Sequence, residues 1–132
     1  MNILFLCTGN SCRSQMAAGF ARVMHPAHTI VSAGIEAHGM NPRAVIVMSE
    51  VGIDISAQPS QTIDELPPLS WDLVVTVCDS ARENCPVLPG ARMMHVSFDD
   101  PPRLTQGMTE EDALPIYRRV RDEIATMIRT LA

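Results

Sequence analysis

The sequence contains no lysine; all ten of its basic residues are arginine, a bias from which no function follows. Aromatics are scarce, with one Trp, one Tyr and three Phe among 132 residues, so few rings are on hand to clasp an aromatic substrate. Positive charge is also in deficit. A net charge of −5 argues against a nucleic-acid binder. Attraction for an anion then has to come from a local arrangement, not from the global field. No apolar run approaches a membrane span. The N-terminal run Ile3-Leu4-Phe5-Leu6 has neither a basic segment before it nor a small-residue cleavage site after it. No export signal is therefore read, and the expected setting is the cytoplasm, with no membrane partner. No repeat, low-complexity stretch or linker interrupts the chain. Residues 1–132 are expected to form one domain, large enough to bury a core without staples.

Metal-ligand spacing is missing as well. Cys7 and Cys12 are separated by four residues, and Cys78 and Cys85 by six. His25, His28, His38 and His95 join no ligand pattern, so neither a metal nor a cofactor is expected. Four cysteines would suit two structural disulfides of a secreted domain. Without an export signal, and with an adequate core, they are expected to stay reduced unless they do redox work.

The elements read as alternating strands and helices. Strands are expected at 2–6, at 29–31 closed by Ser32-Ala33-Gly34, at 72–77 and at 91–96. The run 72–77 is β-branched and nearly continuous, as in a strand covered on both faces. Helices are expected from Ser14 to Met24, with Met16, Ala17, Phe20, Val23 and Met24 on one side, and from Pro42 to about Val51 behind an Asn41 cap. A helical turn at 62–66 and a short helix at 80–84 follow. The last helix lies within 109–131, its regular part beginning near Leu114 because Pro115 is awkward in a helix interior. Its apolar face carries Ala113, Tyr117, Val120, Ile124, Met127 and Leu131, with Arg118, Arg119 and Arg121 mostly off it. Residues 99–108 read as a loop. This alternation predicts a four-stranded parallel sheet with helices on both faces.

Between the first strand and the first helix stands Cys7-Thr8-Gly9-Asn10-Ser11-Cys12-Arg13-Ser14. A cysteine, five residues and an arginine at that junction suit a tetrahedral oxyanion. Successive backbone N–H groups turn inward, and the helix adds the positive end of its dipole. Arg13 brings a planar fork of donors, and Gly9 is expected to permit the backbone angles of a tight nest. Such a field favours thiolate over thiol at Cys7, with Ser14 a candidate donor to the same sulfur. Cys12 lies inside the loop, its side chain expected to pack away from the anion.

Ligand sites in parallel sheets lie beyond the carboxyl ends of the strands. Cys7, Cys78, Asp99 and Asp100 each follow a strand, so all are expected at one edge. Asp100 is a candidate general acid for a leaving oxygen, with Asp99 the competing choice. Cys78 and Cys85 are the informative pair. If the segment were helical, the two would stand about 10 Å apart along its axis, whereas a disulfide needs Cα atoms within roughly 7 Å. Either they are unrelated, or they form a redox shuttle that changes shape on oxidation; the residues alone leave both open.

The run Cys7 to Ala17 resembles the anion loop of the low-molecular-weight protein tyrosine phosphatase superfamily. More narrowly, it resembles the thioredoxin-coupled arsenate reductases built on that fold. Further matches are Ser32-Ala33-Gly34-Ile35-Glu36, His38-Gly39, Asn41-Pro42, Ile53-Asp54-Ile55-Ser56, the pair Cys78 and Cys85 with Pro86, and Phe98-Asp99-Asp100-Pro101. The resemblance implies a three-layer α/β/α sandwich and arsenic detoxification by a monomer. Arsenate, with phosphate or sulfate as analogues, would sit on Thr8, Gly9, Asn10, Ser11, Cys12, Arg13 and Ser14. Cys7, Arg13, Asp100, Cys78 and Cys85 would be catalytic. A transient Cys7–Cys78 disulfide would pass to Cys78–Cys85, which thioredoxin would reduce. Some members bind potassium through an Asn, a Ser and two acidic residues. Asn10 and Ser32 match, but Ala18 and Gln61 stand at the acidic positions, so no strong potassium site is expected. The alternatives are a phosphatase using Cys7, Arg13 and Asp100, and an oxyanion-binding or redox-sensing protein without turnover.

Overall fold

The computed structural model describes residues 1–84 and 88–131. Four parallel strands form one sheet: β1 (Asn2–Cys7), β2 (Thr29–Gly34), β3 (Leu73–Thr76) and β4 (Arg92–His95), in the order β2-β1-β3-β4. The apolar runs of β1 and β3 occupy the two inner positions, where side chains are buried on both faces, as a parallel sheet demands. β4 is an edge strand, and its Met93 is exposed.

Among the described residues, five helices complete the three α/β/α layers: α1 (Arg13–Met24), α2 (Pro42–Glu50), α3 (Asp79–Asn84), α4 (Pro101–Leu104) and α5 (Glu110–Arg129). α1 packs on β1, β2 and α5; α5 also meets α2 and α4; α3 rests on β1 and β3. α2 starts as its sequence predicts. The Asn41 side chain accepts from the Arg43 and Ala44 N–H groups, and Pro42 sits at the first helical position. The turn expected at 62–66 is a 3₁₀ turn over Ile63–Glu65 with a Thr62/Glu65 capping box.

Several expectations are corrected. Residues 99–108 are not all loop, because Pro101 and Pro102 take the first positions of α4, where a missing N–H costs no intrahelical bond. α5 begins at Glu110, not near Leu114. Thr109 caps the Asp112 N–H, and three acidic residues fill the first turn, so the N-terminal dipole outweighs the single bond lost at Pro115. Val23 points to solvent, and Ala21 takes its place in the core. Arg121 is buried despite its charge: Nη1 donates to the Val47 carbonyl and to Glu50 Oε1, both at 2.9 Å, tying α5 to α2.

Candidate oxyanion and thiol site

The parallel order places three loops side by side at the carboxyl edge of the sheet. Leu6 is in register with Thr76, and Thr76 with His95. The segments after β1, β3 and β4 therefore carry Cys7–Arg13, Cys78 and Asp99–Asp100 to one place, as the alternation predicted.

The anion loop is shaped by what holds its carbonyls. Cys7 O accepts from Ile35 N, Thr8 O from Glu36 N, Gly9 O from His38 N and Ser11 O from Asn41 N. Asn10 O accepts from Gln15 Nε2 and Ser60 Oγ, both at 2.9 Å. Five successive carbonyls are thus engaged by the surrounding chain. A cavity of about 170 Å³ opens at the loop, and its lining does not include Asn10 or Ser14. Thr8, Gly9, Ser11, Arg13 and Asp100 line it together with Cys7.

The strained position is Asn10, at φ +46°, not Gly9. Asparagine tolerates that left-handed geometry better than most residues, and here the side chain is locked as well. Its Nδ2 donates to Ser14 Oγ at 2.8 Å and to Ser32 Oγ at 3.0 Å, while Oδ1 accepts from Gln61 N at 2.8 Å. Gly9 is needed for a different reason. A Cβ there would fall 2.4 Å from His38 Nδ1, so only glycine lets the His38 ring close over the loop. His38 in turn pairs with Glu36 at 2.6 Å.

Cys7 is buried, and its sulfur lies 2.9 Å from Ser14 Oγ. The chain of contacts Ser32–Asn10–Ser14–Cys7 is continuous. Arg13, also buried, donates from Nη1 to the Phe98 carbonyl at 3.1 Å and places Nη2 3.7 Å from Asp100 Oδ1. The guanidinium is thereby aimed by the loop that carries the candidate acid. The two aspartates are placed differently. Asp100 lines the cavity, whereas Asp99 is turned away into an ion pair with Arg119 at 2.9 Å. Cys12 is buried at the cavity. Burial pushes its thiol far up, the neighbouring Cys7 adds to the rise, and Arg13 only partly opposes it. A cysteine in that setting stays protonated and is a poor nucleophile.

The second thiol is close at hand. Cys78 is buried, its sulfur 3.3 Å from Thr8 Oγ1, and it accepts from the Ala81 N–H at 3.4 Å in the first turn of α3. Cys85 lies outside the described residues, as does any contact it makes. Cys7, Cys12 and Cys78 are free thiols. Sequence reasoning missed the backing layer of Gln15, Ser60 and the Pro59 carbonyl, which accepts from Gln15 Nε2. Gln15 lies far from Pro59 and Ser60 in sequence, and no periodic signal links them.

The residues around Asn10 and Ser32 do not suit a resident potassium ion. Gln61 Nε2 donates to the Ser32 carbonyl at 3.0 Å, and Asn10 Nδ2 donates to the Ser32 hydroxyl, so N–H groups converge where a cation would want oxygens. Ala18, fully buried, supplies no ligand.

The sequence model for "Low molecular weight phosphotyrosine protein phosphatase" matches residues 2–132. The chain is 52% identical to an arsenate reductase of Bacillus subtilis over 132 residues, covering 98% of this chain and 94% of the relative. A solved structure of an arsenate reductase in the phosphate binding state superposes with a TM-score of 0.72 at 29% identity, covering 99% of this chain and 98% of the other. A low molecular weight protein tyrosine phosphatase from T. tengcongensis superposes with a TM-score of 0.75 at 28% identity, covering 97% and 95%.

Proposed function

The chain belongs to the low molecular weight phosphotyrosine protein phosphatase family, and from that premise we propose that it is an arsenate reductase working through three cysteines. The observation that carries this reading is the second thiol. Cys78 touches Thr8, the residue next to Cys7, at the rim of an oxyanion loop. A phosphatase needs one sulfur there and has no use for another.

Arsenate binds to the N–H groups of residues 8–13 and to Arg13. The Cys7 thiolate attacks arsenic, and a hydroxyl of the arsenate takes a proton from Asp100 and departs as water. Cys78 then attacks the Cys7 sulfur. The S–As bond breaks, its electron pair stays with arsenic, and arsenite leaves with arsenic in the +3 state. A Cys7–Cys78 disulfide remains. Cys85 attacks Cys78, freeing Cys7, and the resulting Cys78–Cys85 disulfide accepts two electrons from thioredoxin. The loop need not tell arsenate from phosphate, since only arsenic(V) accepts the electron pair. As part of the same proposal, the enzyme is a cytoplasmic monomer.

A weak phosphomonoesterase activity through Cys7, Arg13 and Asp100 is expected alongside. Ser11, His38 and Pro102 are shared between the loop cavity and a neighbouring groove of about 570 Å³, which leaves room for a leaving group. Cys78→Ser separates the readings. Arsenate reduction is lost and aryl phosphate hydrolysis persists if the relay operates; retained multiple-turnover arsenite release by the variant refutes it.

A further inference from the structure

One group at the carboxyl edge of the sheet has no part in the chemistry above. His95 ends β4 and reaches across both neighbouring elements. Its Nδ1 lies 2.8 Å from Thr76 Oγ1 on β3, and its Nε2 lies 3.0 Å from Asp79 Oδ1 at the start of α3. Nε2–H donates to the carboxylate, and the buried Thr76 hydroxyl, which also lies 3.5 Å from the Met94 carbonyl, meets Nδ1. Asp79 follows Cys78 directly.

We propose that the His95–Asp79 contact is a latch on α3, and that His95 is a positioning residue for the last thiol exchange of the relay. The proposal rests on the relay reading for its role in turnover. Its geometry stands alone. Ala81 is buried, and its N–H meets the Cys78 sulfur, while Arg82 and Glu83 are exposed. Six helical residues advance about 9 Å, more than the roughly 7 Å between Cα atoms that a disulfide tolerates. A Cys78–Cys85 bond therefore calls for α3 to open. The latch exists while Asp79 starts a helix seated on β3, so it stabilises the dithiol form and not the disulfide. Its strength is moderate, because the Asp79 side chain is 76% exposed and a hollow of about 300 Å³ beside the ring, shared with Arg82, admits water.

The test compares wild type, Asp79→Ala, His95→Leu and the double variant, each equilibrated with oxidised and reduced dithiothreitol. The fraction of Cys78–Cys85 disulfide is read by mass spectrometry. In that exchange the S–S bond of oxidised dithiothreitol breaks, the two cysteines lose two electrons and two protons to it, and the protein S–S bond forms. Each single variant is expected to shift the equilibrium about three- to ten-fold toward the disulfide, from the loss of one charge-assisted hydrogen bond. The double variant is expected to go no further, because the two residues act as a pair. Asp79→Asn, which keeps the acceptor, is expected to shift it less than Asp79→Ala. Single variants within two-fold of wild type, or additive shifts in the double, overturn the latch. If His95→Leu does not fold, the exposed Asp79 position decides alone by the same criterion. If wild type forms no Cys78–Cys85 bond, the relay reading fails. The latch is then decided by amide hydrogen exchange over 79–84 in the reduced protein: several-fold faster exchange in Asp79→Ala supports it, and equal exchange refutes it.

Discussion

Asn10 holds a left-handed backbone at φ +46° while its amide ties three segments together, so replacing it separates two costs. In Asn10→Ala the Gln61 N–H loses its acceptor, and the Ser14 and Ser32 hydroxyls lose a donor. An abandoned buried or half-buried polar group costs about 1–3 kcal/mol; the Ser14 hydroxyl keeps the Cys7 sulfur as a partner, so the bonds together come to about 2–3 kcal/mol. Alanine in the left-handed region adds about 1 kcal/mol. The expected loss is about 3–4 kcal/mol, or roughly 10–15 °C in Tm for a chain of this size. Asn10→Gly loses the same bonds without the backbone penalty, so it is expected to be about 1 kcal/mol more stable than Asn10→Ala despite its more flexible unfolded chain. Urea unfolding of the reduced proteins, with phosphate affinity as a second readout, measures both. An alanine variant within about 0.5 kcal/mol of wild type, or a glycine variant below the alanine one, refutes this account of the loop.

Gly9→Ala is expected to weaken phosphate binding at least ten-fold by driving the His38 ring off the loop, and a His38→Ala change in the same protein is expected to restore much of the loss; no rescue in a calorimetric titration contradicts the steric reading. Glu50 is held below the usual carboxylate range, first by its hydrogen bond from Arg118 and further by Arg121. Its contribution is therefore full above the ordinary glutamate value of about 4.3 and fades as pH falls through the depressed folded one. The gap in urea stability between wild type and Glu50→Gln is expected to narrow from pH 6 to pH 3, and a gap that widens contradicts the pairing. Arsenate reduction is expected to run equally fast in sodium and potassium salts; a several-fold potassium activation overturns the reading of Gln61 and Ala18. Cys12→Ser is expected to leave turnover within about three-fold, since a buried, protonated thiol contributes no nucleophile.

The site was legible where local pattern and topology coincide. Strand, loop and helix around Cys7 follow from an apolar run and a Cys-x5-Arg loop. The parallel order brings Cys78 and Asp100 beside it, although seventy residues and more lie between them in the chain. Tertiary contacts supplied the rest. Nothing local distinguishes Asp99 from Asp100; Arg119 on α5 does. Gly9 read as a backbone need, yet the left-handed residue is Asn10, and the glycine answers to a histidine 29 positions away. Arg121 read as lying mostly off the apolar face of the last helix, but the Val47 carbonyl and Glu50 give it a buried place. Prolines misled twice, at Pro101-Pro102 and at Pro115, because their cost depends on how near the helix start they fall.

The central claim is the three-cysteine relay, and single turnover tests it most directly. Fully reduced protein is mixed with arsenate without external reductant, arsenite is quantified, and disulfides are mapped by mass spectrometry. About one arsenite per chain together with a Cys78–Cys85 bond is the predicted result, because one relay donates two electrons. No arsenite, with steady hydrolysis of a simple aryl phosphate by the same sample, would contradict it and return the protein to phosphatase chemistry.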